Sequence, residues 1–287
     1  MTSRISHNNP SEEGFFDLTY HYELLSDQER IQPIKRSIQR ICRDKRVLES
    51  GTGSGILSIF AAKAGAAKVY AVEKDPKMVA FARKNILDNG LEDRIELIEK
   101  DSRELTDADL GGRPVDVIIA ENLSTWQVTE PQITILNHLH KFLHEQGVVL
   151  PNLASNFFEL AESQFFFEDS ISLRTHFFQF TGIKAPRMLS GKTLFLTLDF
   201  GKNNPIHFHK TVSVRVDRGG TLNSLRLTSP ITFFEEIDFQ SSDSLMPPVV
   251  VPLSNDLEVQ SGDTVRIEIQ YSSNTSWEDF TATAFLE

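Results

Sequence analysis

Glu49-Ser-Gly51-Thr-Gly53-Ser-Gly55 follows directly on the apolar pair Val47-Leu48, and it constrains this chain more than any other stretch. It sets an acid and three glycines where a strand turns into a helix. A second apolar run, Val69-Tyr70-Ala71-Val72, ends in Glu73, twenty residues past Gly53. In a doubly wound sheet such glycines let a ligand come against the backbone, and the acid after the second strand binds a pair of ribose hydroxyls. The dinucleotide form of the loop wants glycine at position 56, where this chain has Ile56, so hydride transfer is disfavoured. The candidate residues of this nucleotide-type site are Glu49, Gly51, Gly53, Gly55 and Glu73.

Helix and strand patterns alternate around the loop. Leu24, Leu25, Ile31, Ile34, Ile38 and Ile41 fall near one face, which predicts a helix over 20–41. Strands are expected over 46–50, 69–73, 95–98 and 115–120. Helices are expected over 56–65, 77–89 and 131–143, the middle one closed by Asn89-Gly90 and the last followed by a turn at Gln146-Gly147. Short apolar strands separated by helices imply a parallel sheet that binds ligands at the carboxyl ends of its strands. Glu49, Glu73, Asp101 and Glu121 all fall at such ends.

After Pro151 the period changes to two. Leu194, Leu196, Leu198 and Phe200 alternate with Phe195, Thr197 and Asp199; Val212, Val214 and Val216 form a second such run, and Val265, Ile267, Ile269 and Tyr271 a third. Turn residues separate the runs, which predicts an antiparallel β-sandwich or barrel. Three segments follow: a helical lid over 1–45, a nucleotide-binding α/β domain over 46–150, and a β domain over 151–287.

Bulk composition narrows the class. Apolar residues make up 40% and charged residues 24% of 287, a globular composition. No apolar run approaches the ~18 residues of a membrane span, and residues 1–13 lack the apolar core of a signal peptide. Cys42 is the only cysteine, so neither a disulfide framework nor a cysteine metal site is expected, and a reducing cytoplasm is the expected location. The net charge of −11 disfavours nucleic acid and favours a cationic substrate.

The form E-x-G-x-G-x-G is the one carried by S-adenosylmethionine enzymes, and the pieces together resemble the protein arginine methyltransferase family. The stretch Val47-Leu-Glu-Ser-Gly-Thr-Gly-Ser-Gly-Ile-Leu-Ser-Ile-Phe-Ala-Ala-Lys-Ala-Gly65 is close to that family's first motif, and Leu24-Leu25-Ser-Asp-Gln-Glu-Arg30 is similar to its cofactor lid. The resemblance covers residues 20 to 165 well and the β domain in outline. It implies a Rossmann-like class I methyltransferase domain followed by a β-barrel entered at a proline like Pro151, with S-adenosyl-L-methionine as cofactor. It further implies that Arg30 binds the cofactor carboxylate, that Asp101 accepts from the adenine amino group with Ser102 close by, and that His21 stands at the family's histidine position. Glu121 and Glu130, nine residues apart, match the family's paired acids. Two carboxylates suit the planar five-donor guanidinium and turn one nitrogen toward a sulfonium methyl.

Each site residue also has a plainer reading. Glu130 before Pro131 suits a helix N-terminus, Asp101 a solvated loop, Arg30 a helix surface, and His21 is a lone histidine. The chain departs from the family in carrying Asn122-Leu-Ser-Thr125 where the family has Trp-Met-Gly-Tyr, and Ser244-Leu245-Met246 where it has a Thr-His-Trp loop whose histidine pairs with a lid aspartate. Residues 165–190 are short for the family's dimerisation arm, so a homodimer is left open. The leading expectation is N-methylation of a guanidino or amino group in a protein, a peptide or free arginine. The alternative is a small-molecule or peptide O-methyltransferase of specialised metabolism on the same scaffold. A cofactor-binding module without activity is the third reading, disfavoured by the intact glycines.

Overall fold

The computed structural model describes Tyr22, residues 24–168 and residues 171–287. The first sheet has five parallel strands in the order β3-β2-β1-β4-β5: β1 (Arg46–Ser50), β2 (Lys68–Glu73), β3 (Ile95–Glu99), β4 (Val115–Ala120) and β5 (Leu143–Leu150). Between them run α2 (Ile56–Lys63), α3 (Pro76–Asp88) and α4 (Gln132–Leu139), and α1 (Gln28–Ile41) precedes the sheet. Helices on both faces explain why β1, β2 and β4 read as near-continuous apolar runs instead of alternating. Ser50 lies opposite Ala120 in the β1–β4 pair, so the two loops leaving these strands start side by side. That is the crevice at which an open α/β sheet changes winding direction.

Three expectations shift at their edges. The helix expected over 20–41 is interrupted at Asp27, whose side chain accepts from Arg30 N and caps α1. The helix expected over 131–143 ends at Leu139 and continues as a 3₁₀ turn, His140–Phe142, because Leu143 is already paired with Val115. Gln146-Gly147 bends within β5: Leu143 faces Val115 and Val148 faces Val117, so six residues oppose three. Glycine is required there, since a Cβ on Gly147 would lie 2.5 Å from Leu143 Cδ1.

The second half curls one large antiparallel sheet around β6 (Leu153–Glu162), which pairs with β10 (Arg187–Met188), β11 (Thr193–Asp199), β13 (Gly220–Thr228) and β14 (Ile231–Phe234). The sheet extends through β16 (Val249–Val259) to β9 (Phe177–Phe178) on one side and β15 (Ile237–Phe239) on the other. A three-stranded sheet of β12 (His207–Arg215), β17 (Thr264–Ser272) and β18 (Thr281–Leu286) closes the core, and β7 (Phe166–Phe167) pairs with β8 (Ile171–Ser172) in a separate two-stranded ribbon. Val265, Ile267, Ile269 and Tyr271 are buried as their alternation predicts. The run beginning at Leu194 is different. A register shift between Leu194 and Leu196 turns Phe195 inward, to 1% exposed, and leaves Leu194 48% exposed. One bulged residue exchanges the faces of a strand.

The two halves share a core through Trp126, in the loop after β4. Its backbone is in the left-handed region at φ 57°, its side chain is fully buried, and its ring stacks on Phe195 at 4.8 Å. Its indole N–H donates to the Phe157 and Thr228 carbonyls at 3.2 Å, and its backbone N–H donates to Ser229 Oγ at 2.8 Å. The loop beyond Glu121 is therefore anchored inside the β domain. Trp126→Ala is expected to destabilise the whole chain by about 3–5 kcal/mol in urea unfolding. A loss below about 1 kcal/mol would show that the indole does not join the two halves.

Candidate active site

The glycine loop is built from hydrogen bonds at both ends. Gly51, Gly53 and Gly55 have φ of 68°, 54° and 85°. A Cβ on Gly51 would meet Asn122 Nδ2 at 2.8 Å, so the loop after β4 presses directly on the loop after β1. Glu49 lies beneath, 2% exposed, accepting from Thr52 Oγ1 at 2.7 Å and from Ser58 Oγ. Burial pushes its carboxyl up to about 7 against those hydroxyl donors. Glu49 thus braces the loop from inside. At the end of β2 the Glu73 carboxylate accepts from three backbone N–H groups: Gly53 at 3.0 Å, Lys74 at 2.8 Å and Asp75 at 3.0 Å.

At the end of β3 the arrangement is closed on itself. Asp101 accepts from Arg103 N and Nε at 2.9 Å and Nη2 at 2.6 Å, and these bonds hold its carboxyl down at about 2. Ser102 is buried and accepts from Ser50 Oγ at 2.8 Å, which ties β3 to β1. The structure therefore sets Asp101 at the rim of the crevice with an intramolecular partner, and turns Ser102 toward the sheet.

The start of α1 brings Arg30 to Glu121 at the end of β4, and Glu130 lies near enough to feel the charge of Glu121. Arg30 is buried, and its Nη2 and Nε meet both carboxylate oxygens of Glu121, the Nε contact at 3.4 Å; Nη1 donates to the Leu24 carbonyl at 3.2 Å. Glu130 has no such partner among the described residues. Burial pushes its carboxyl up to about 7, the charge of Glu121 adds to that shift, and Lys74 opposes it. Ser124 Oγ accepts from the Thr129 and Glu130 backbone N–H groups at 3.2 Å, which fixes the acid at the end of its loop. His21 lies outside the described residues.

Glu130 opens on a pocket of about 150 Å³ walled by Leu123, Phe178, Leu245, Met246, Pro247 and Trp277, with Ser124, Thr125, Thr129 and Ser244 as its polar part. Trp277, after β17, and Leu245 and Met246, before β16, meet in this wall through long-range packing that leaves no local signal in the sequence. A larger cleft of about 530 Å³ lies elsewhere, between α1 and β15, and its lining includes Arg40, Glu236 and Asp238.

Comparisons with known proteins bear on the fold and on the class of reaction. Residues 32–151 match the family model described as ribosomal protein L11 methyltransferase (PrmA). "Uncharacterized protein MJ1452" of Methanocaldococcus jannaschii is 31% identical over 88% of this chain and 91% of its own. Protein arginine N-methyltransferase 1.1 of Arabidopsis thaliana is 35% identical over 59% of this chain, a match spanning 45% of that protein. An arginine N(omega)-methyltransferase of Streptomyces achromogenes is 27% identical over 91% of this chain and 77% of that one. Among solved structures, Arabidopsis thaliana protein arginine methyltransferase 10 superposes with a TM-score of 0.72 at 20% identity, covering 88% of both chains. The PRMT1 enzyme-prozyme complex with AdoHcy of Trypanosoma brucei gives 0.71 at 20% identity, over 87% of this chain and 86% of that one. Fold, loop and comparisons together define an S-adenosylmethionine-dependent methyltransferase. The chain is a protein arginine methyltransferase-like class I methyltransferase, and it is related over most of its length to the Methanocaldococcus protein. Among the described residues no helix is long and apolar enough to cross a membrane.

A carboxyl raised by folding holds its proton more tightly in the folded chain, so its contribution favours folding at low pH and is lost as pH rises. For Glu130 the window runs from 4.5 to about 7. Glu130→Gln, which cannot ionise, is expected to match the parent near pH 4 and to exceed it above pH 7 by up to about 3 kcal/mol. Urea unfolding at pH 4 and pH 8 measures this. A difference that does not change with pH would mean that Glu130 ionises as freely folded as unfolded.

Proposed function

We propose that this chain N-methylates a guanidino group of arginine, carried in a protein, a peptide or the free amino acid. The observation that carries the proposal is Glu130: a half-buried acid without a basic partner among the described residues, at a pocket of mixed apolar and hydroxyl walls and close enough to Glu121 to feel its charge. A carboxyl so placed is costly to ionise unless a cation completes it. A planar guanidinium held across two carboxylates is fixed in direction as well as position. A neutral hydroxyl acceptor would leave Glu130 uncompensated, which disfavours the O-methyl alternative.

The cradle suits the cofactor, since three glycines hold left-handed backbone and a side chain at Gly51 would collide with Asn122. In this reading Gly51, Gly53 and Gly55 leave room for S-adenosylmethionine, Glu73 takes its ribose hydroxyls, Arg30 its carboxylate, and Asp101 lies at the adenine end. Glu49 and Ser102 act on the cofactor through the loop and strand they fix. S-adenosylmethionine, when bound, supplies an electrophilic methyl group on sulfur. The chain's own part is to exclude water, aim the acceptor nitrogen and remove its proton, which is positioning and electrostatics. Glu130, near 7 in a pocket without a cation, is matched to take that proton.

Intact-mass analysis after incubation with S-adenosylmethionine tests the proposal on free arginine, arginine peptides and the same peptides with lysine or norleucine in place of arginine. A methyl-sized gain confined to the arginine species is expected. Gain on norleucine peptides, or on no arginine species by a protein that binds the cofactor, would overturn it. Glu130→Gln is expected to lower kcat/KM by more than ~100-fold with cofactor affinity unchanged. Glu121→Gln should also weaken cofactor binding, because Glu121 holds Arg30. Activity of the parent should climb with pH toward about 7 and then level, as Glu130 ionises.

A further inference from the structure

A ring of contacts surrounds the Glu130 pocket. Ser244 Oγ donates to Asp27 Oδ2. The other oxygen of Asp27 accepts from Arg30 N at 3.1 Å as the cap of α1, and the Arg30 side chain is bound to Glu121. Glu121 opens the loop that carries Thr125, whose hydroxyl donates to the Pro247 carbonyl at 2.8 Å. Pro247 lies three residues from Ser244, which closes the ring. Three segments distant in sequence, the start of α1, the loop after β4 and the loop before β16, therefore hold one another.

The loop before β16 is itself rigid. Ser242 N donates to the Leu245 carbonyl at 2.9 Å, Leu245 N to Ser242 Oγ at 3.1 Å, and Ser241 Oγ to the Met246 carbonyl at 2.9 Å. Met246 takes φ 54° with its side chain 3% exposed. This stapled turn presents Ser244 to Asp27 while setting Leu245 and Met246 into the pocket wall. The far end of α1 is tied separately, by Arg40 to Glu235 at 2.9 Å and Glu236 at 2.8 Å. Those are exposed pairs of small worth. The half-buried contact to a charged acceptor at Asp27 is the stronger class of bond.

We infer that Ser244 is a positioning residue: its hydrogen bond to Asp27 latches the start of α1 to the loop walling the acceptor pocket, so that Arg30 and Glu121 are set in place by one contact. The inference rests on the proposed reading of Arg30 and of the Glu121–Glu130 pair. Ser244 touches neither acid directly. It acts through Asp27, which caps the turn bearing Arg30, and through the turn that carries Leu245 and Met246. The latch is a hydroxyl on a carboxylate, so it stays made across neutral pH. The pH dependence then belongs to Glu130, with Glu121 and Lys74 the charged groups that act on it.

Calorimetric binding of S-adenosylhomocysteine, which needs no turnover, measures the latch directly in the full chain. Ser244→Ala is expected to weaken that binding about tenfold with the melting temperature unchanged within ~2 °C. Ser244→Thr should restore it. In an Asp27→Ala background Ser244→Ala should add nothing, because residues acting through one contact are not additive. Amide exchange over residues 24–31 should quicken in the cofactor-free Ser244→Ala protein. Parental affinity in Ser244→Ala, or full additivity with Asp27→Ala, would overturn the latch. With an arginine acceptor, KM should rise more than kcat falls. Failure to methylate any arginine species would remove the functional reading, while the affinity and exchange measurements would still decide the latch.

Discussion

The pairing of β1 with β4 is the constraint on which the rest depends. Parallel strands must be joined by crossovers, and where two crossovers leave in opposite directions the sheet opens a crevice between their first residues. Here that crevice starts at Ser50 beside Ala120. One loop leaves as three glycines over a buried glutamate, the other as Glu121-Asn122, and Asn122 fills the space a side chain at Gly51 would need. The two loops cannot be shaped separately. Lengthening one by a methyl group displaces the other, and with it the acid that begins it.

The second loop is also what makes two domains into one enzyme. Trp126 carries it into the core of the β domain, where the ring packs against Phe195 and lies 5.6 Å from Tyr271 and 5.7 Å from Phe280. A loop spanning two cores has little freedom, and the acids at its two ends inherit that rigidity. Their charges are managed differently. Glu121 is neutralised within the chain by Arg30. Glu130 is left to burial, which favours its proton-bound form. One acid is thus fixed and one is responsive, which is what the proposed guanidino-methylating site would use.

Much of this was legible in the residues. The glycine loop, the acid after β2 and the strand-end placement of Asp101 and Glu121 followed from local pattern, since the periods of helix and strand and the needs of left-handed backbone are properties of short segments. Glu121 and Glu130 were legible as a pair through resemblance. Their unlike surroundings were not, because burial is set by packing partners far along the chain. Position 194 failed for a related reason: alternation assigns faces correctly only until a bulge, and a bulge is decided by the partner strand.

By itself, then, the sequence determined the class of sheet, the nucleotide-type loop and the residue types able to grip a cation. Tertiary structure decided which of those residues meet. It turned Ser102 toward Ser50, set Asn122 against Gly51, and brought Trp277 beside Leu245 and Met246. The physical reason is range. Backbone conformation and amphipathic period are fixed within a few residues, whereas the protonation of Glu130 and the tie between Asp27 and Ser244 depend on contacts that exist only once both halves have folded against each other.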